Sequence, residues 1–137
     1  DLHDIRRETL WGNLMAGGAG VEYYFGYRLP QNDLLCEDYR SRDQSWDFCR
    51  IALEFFHKNE IPFWEMEPND ALVDNPEGKS GLPWCLAKGE ECYVLYFPKG
   101  VETPVLADDG KTRLVIDPAT GETVNDSPEI DRVILIR

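Results

Sequence analysis

At 137 residues the chain has room for one ordinary domain or two small ones, but not for a complete α/β barrel, which takes about 250 residues. Its 26 acidic and 14 basic residues leave a net charge of −12, which excludes a nucleic-acid backbone as partner and suits neutral or cationic ligands. No apolar run approaches the roughly 20 residues of a spanning helix, so no membrane partner is expected.

The sequence opens at Asp1 directly on a helical pattern, which reads as the start of a piece excised from a longer protein. Leu2 to Ala16 carries Leu10, Trp11, Leu14 and Met15 at helical spacing, with Arg6, Arg7, Glu8 and Asn13 between them. Gly17 and Gly18 end this helix, because glycine adopts the left-handed conformation that closes one. Val21 to Phe25 is a β-branched and aromatic run that predicts a short buried strand. Glu22 inside such a run has to be paired, protonated or facing a cavity, since an isolated buried charge is very costly. Arg40 and Arg42 are its natural partners.

A polar loop of about fifteen residues follows, long enough to be functional. It carries Tyr27, Asp33, Glu37 and Asp38. Ser41 to Gln44 fits a capping box that opens a second helix running to about Lys58. Trp46, Cys49, Ala52, Leu53, Phe55 and Phe56 predict a wide buried stripe on that helix. Ile61 to Met66 is a short apolar peg, and 68–83 has linker composition. The period then changes to two. Trp84 to Lys88 and Cys92 to Phe97 read as strands joined by Gly89-Glu90-Glu91, and Val105 to Ala107, Arg113 to Ile116 and Arg132 to Ile136 add more.

Four cysteines, Cys36, Cys49, Cys85 and Cys92, lack metal spacing, and one or two disulfides stay open. His3 and His57 lie far apart, so neither a metal nor a cofactor is expected.

Leu10-Trp11-Gly12-Asn13 through Tyr24-Phe25-Gly26, with Cys36-Glu37-Asp38-Tyr39-Arg40 and Ile61-Pro62-Phe63-Trp64-Glu65-Met66, resembles the end of a bacterial apiosidase-like glycoside hydrolase. Tyr93 to Pro98, Asp117-Pro118-Ala119-Thr120-Gly121 and Asp131 to Ile136 are similar to the small domain that follows it, described as the collagen-binding domain of a collagenase. The resemblance implies α/β plus β: the last helix–strand–helix segment of a (β/α)8 TIM barrel over 1–67, a linker over 68–83, and a small antiparallel β-sandwich over 84–137. It also implies a secreted or periplasmic hydrolase acting on glycans, with the missing barrel portion as partner and this fragment inactive alone.

A retaining glycosidase needs two carboxylates about 5 Å apart. On this reading they belong to the missing strands, leaving Glu22 as a weak catalytic candidate. Glu22, Tyr24, Tyr27, Asp33, Glu37 and Asp38 are the expected substrate contacts. The alternative is a non-catalytic module binding collagen or polysaccharide, for which Trp84, Tyr93 and Phe97 are candidate ligand-stacking rings.

Overall fold

Strict alternation along 84–97 builds the centre of the molecule. In the computed structural model, which describes residues 2–23, 40, 43–106 and 110–137, β2 (Trp84–Lys88) and β3 (Cys92–Phe97) form a tight antiparallel pair. Trp84 lies opposite Tyr96 and Lys88 opposite Cys92. β5 (Arg132–Ile136) adds to the other side of β3, and β4 (Arg113–Ile116) adds to β5. A two-residue β1 (Glu67–Pro68) completes a five-stranded antiparallel sheet of order β1-β2-β3-β5-β4.

Helical residues cover one face. The first run, α1, is α-helical at Leu2–Asp4, π-helical at Ile5–Trp11 and α-helical again at Gly12–Met15. The wider turn shows in the Gly12 N–H, which bonds to the Arg7 carbonyl five residues back. Gly17 closes the run at φ +86°, where the left-handed conformation favours glycine. The second helix, α2 (Asp43–Lys58), ends where the Asn59 side chain and the Ile61 N–H bond the carbonyls of Phe55 and Phe56.

Leu10, Trp11 and Met15 of α1 pack with Phe48, Ile51, Ala52, Phe55 and Phe56 of α2. Beneath them lie Leu86, Val94, Tyr96, Val133 and Leu135. Trp11 is fully buried, with ring centroids 5.8 Å from Phe55 and 6.0 Å from Tyr96. The opposite sheet face carries Cys85, Leu95, Phe97, Ile134 and Ile136, covered by Val73, Val101, Leu106 and Val124.

This arrangement overturns the expected fold class. The chain forms a small β-rich unit with helices on one antiparallel sheet, not a TIM-barrel segment followed by a sandwich. A parallel βα unit needs a strand between the two helices; Val21–Tyr23 belong to no strand, and both helices bury their apolar sides on the later antiparallel strands. The sheet's second face meets loops rather than a second sheet. Val105 and Leu106 are also not a strand: Val105 is fully exposed and Leu106 packs on that face.

The stripe of α2 is narrower than expected. Phe48, Ile51, Ala52, Phe55 and Phe56 point at the sheet, whereas Trp46 and Leu53, seven residues apart on another side, are 45% and 60% exposed.

Because Trp11 joins both helices to the sheet, Trp11→Ala is expected to cost about 3–5 kcal/mol. Urea unfolding followed by far-UV and near-UV circular dichroism checks this. One shared core predicts that both signals move together to a lower midpoint.

Candidate functional site

The most buried carboxylate among the described residues is structural. The Asp131 carboxylate, just before β5, accepts hydrogen bonds from the Tyr96 hydroxyl at 3.0 Å and the Lys99 N–H at 2.7 Å. It also pairs with Arg6 and, at 3.3 Å, with Arg7. Burial alone would raise its pKa. The Lys99 N–H, the two guanidinium groups and the Tyr96 hydroxyl overcome burial and hold the carboxyl below its usual range. The same burial, with the Asp131 charge beside it, pushes the Tyr96 phenol up. Arg132 is equally enclosed. It pairs with Asp126, donates 2.7 Å hydrogen bonds to the Val101 carbonyl and the Thr103 hydroxyl, and stacks 5.0 Å from the Phe97 ring centre. These groups tie α1 and the covering loop to the sheet, and none of them is among the described residues that line the cleft between the helices.

A cleft of about 290 Å³ opens between the helices. Leu10 and Leu14 form one wall, Cys49, Ala52 and Leu53 the other, with Phe56 and Leu86 below and Gly17 to Val21 at the mouth. Among the described residues its lining contains no carboxylate. The Tyr23 phenol is pushed up by burial and by its hydrogen bond with Cys49. Glu22, expected within a buried strand, is exposed. Tyr24, Tyr27, Asp33, Glu37 and Asp38 lie outside the described residues, as does Cys36.

A second feature stands beyond the end of α2. Pro62 starts a single 3-10 turn, Phe63–Glu65, that leads into β1. Phe63 packs edge-on against Phe56, with centroids 6.1 Å apart, and Trp64 packs edge-on against Phe63 at 5.3 Å and 82°. Phe56 belongs to the core, so the ledge is anchored there. Its tip is open: Phe63 is 42% and Trp64 70% exposed.

Polar groups stand beside the indole. Glu65 pairs with Lys88 of β2 at 2.7 Å, and Lys88 also reaches Glu91 at 3.1 Å. The Lys88 hydrogen bond and charge, helped by the Trp64 indole, hold the Glu65 carboxyl below its usual value. An exposed aromatic face with fixed charged groups at its edge can stack on the C–H face of a sugar and bond its hydroxyls.

The three rings expected to stack on ligand are placed otherwise. Trp84 and Phe97 are buried in the two faces of the sheet, and Tyr93 is half-buried. The ledge itself has a trace in the sequence. Phe63 and Trp64 lie in the run Ile61 to Met66, which reads as an apolar peg, and of the two only Phe63 reaches the core ring Phe56. Among the described residues no group of three or more His, Cys, Asp or Glu is placed to hold a metal ion, and no helix is long and apolar enough to cross a membrane. Comparison with known proteins finds no family model, no curated protein and no solved structure that matches the chain.

Two outcomes follow from this chemistry. The Asp131 contribution to stability is present above its unfolded pKa of about 3.9 and is lost as pH falls through the lower folded value. Asp131→Asn is therefore expected to lower stability at neutral pH and to flatten its fall below about pH 4, as read from melting temperatures across acid pH. Burial, with Asp70 nearby, pushes the Cys85 thiol up to about 12. Native-state alkylation followed by peptide mass spectrometry is expected to label the half-buried, free Cys49 well before Cys85.

Proposed function

We propose that the chain is a non-catalytic, glycan-binding unit of a protein that hydrolyses glycans. The observation that carries this reading is the Trp64 indole, 70% exposed yet held against Phe63, with Glu65 at its side and Lys88 paired to Glu65. Two adjacent exposed rings, Phe63 and Trp64, form an apolar patch of the kind that marks interaction sites. Because the ring is held in advance, little rotamer freedom is lost when a sugar docks, which favours affinity. The non-catalytic half of the proposal is supported by the Asp131 carboxylate being engaged by arginines and by a cleft with no acid among its described lining residues.

Native gels cast with soluble neutral polysaccharides (glucomannan, arabinoxylan, mixed-linkage β-glucan, galactan) test the reading. At least one is expected to retard the protein. Trp64→Ala is expected to weaken that association about tenfold or more, roughly 1.4 kcal/mol. Its melting temperature should barely move, since surface changes alter stability by only about 0.5 kcal/mol. Retardation that survives Trp64→Ala, or binding to triple-helical collagen peptide in place of glycan, would sink the proposal.

A further inference from the structure

Resting on the glycan-binding reading, we infer that the Trp64 ledge takes a single, soluble, uncharged glycan chain and rejects both flat crystalline polysaccharide and polyuronate. Two independent features of the ledge lead there.

The first is ring orientation. A crystalline polysaccharide presents a plane, and gripping a plane takes several aromatic faces lying in one plane. Here the two rings stand at 82° with centroids 5.3 Å apart, so when the Trp64 face lies on a plane the Phe63 face stands nearly upright to it. Only one sugar face is stacked, and the rest of the contact has to come from polar neighbours, first Glu65 beside the indole and then the Lys88–Glu91 pair joined to it. Those groups need hydroxyls free to bond. Hydroxyls of a dissolved chain are free, whereas those inside a crystal are already paired with neighbouring chains.

The second is charge. Lys88 is the cation of this rim, and its ammonium is engaged by Glu65 at 2.7 Å and by Glu91 at 3.1 Å. The trio carries a net negative charge, as does the whole chain at −12. A uronate carboxylate arriving at the indole would meet two carboxylates and a cation already paired, and the long-range field would oppose its approach. A neutral hydroxyl suffers neither effect. It can donate to a carboxylate and accept from the ammonium within the same rim.

Affinity gels of the wild-type chain, Trp64→Ala and the double variant Glu65→Gln/Glu91→Gln test this. The probes are the soluble neutral polysaccharides named above and soluble polygalacturonate, with pull-down on microcrystalline cellulose. The wild type is expected to bind a neutral chain at least tenfold more tightly than polygalacturonate and to stay in the supernatant over cellulose. Removing the two carboxylate charges frees Lys88, so the double variant is expected to gain polygalacturonate binding at low salt and to lose it at high salt. Trp64-dependent binding of cellulose or polygalacturonate as strong as that of any neutral chain overturns the inference while the glycan reading stands. So does a double variant that gains nothing. Absence of Trp64-dependent binding to every glycan overturns both.

Discussion

The buried carboxylate of Asp131 is the constraint to which the rest of the structure conforms. It sits one residue before β5, bonds the Tyr96 hydroxyl of β3, and draws Arg6 and Arg7 of α1 onto the sheet. A charge so enclosed is tolerated only when its partners fill its lone pairs, and here the Lys99 N–H completes the set. Tyr96 carries the arrangement into the apolar core. Its ring packs 5.5 Å from Trp84 and 6.0 Å from Trp11, while its hydroxyl reaches the carboxylate. The orientation of α1 over β3 and β5 is therefore set jointly by ionic and aromatic contacts.

Sheet edges, which invite pairing with other chains, are closed locally. β1 is only two residues long and ends in Pro68. Beyond it the Asp70 side chain accepts the Cys85 N–H at 2.7 Å, and the Asn69 N–H bonds the Cys85 carbonyl at 2.8 Å. At the other edge, Thr123 bridges Ile116 and the Val124 N–H bonds the Val115 carbonyl. The turn that achieves this, Asp117 to Gly121, depends on Gly121 at φ +78°; a Cβ there would also sit 3.4 Å from Ile51 of α2. Strand addition is thus disfavoured at these edges.

Strands were far easier to read in this sequence than the way the helices use them. Alternation in Trp84–Lys88 and Cys92–Phe97 marks both the strands and the residues on each face, because a period of two survives any partner. Arg113–Ile116 and Arg132–Ile136 were legible as short β-branched runs bounded by turn residues. β1 was not, since two residues ending in proline carry no period. The helix–glycine–apolar order at the start of the chain suggested a parallel barrel unit, yet an amphipathic helix fits any apolar surface of matching width, parallel or antiparallel. Resemblance strengthened that expectation without testing which surface would be used. The segment of the ledge is legible as a short apolar peg, but Phe63 and Trp64 are residue types of the core, and their exposure depends on the direction the turn gives them.

What the sequence by itself determined is local. It set the closure of α1 at Gly17, the run of α2 to Lys58, the four longer strands as short apolar runs and the acidic balance of the chain. Each of these depends on neighbours within a few positions, where backbone preference and side-chain period act directly. Tertiary structure alone decided that both helices share one face of one antiparallel sheet, that Asp131 meets Arg6 across 125 positions, and that Trp64 remains in water while Trp11 does not. Those outcomes turn on which apolar surfaces find each other and which charges must be enclosed together. Burial is a property of the assembled surfaces, and no residue carries it in its own identity.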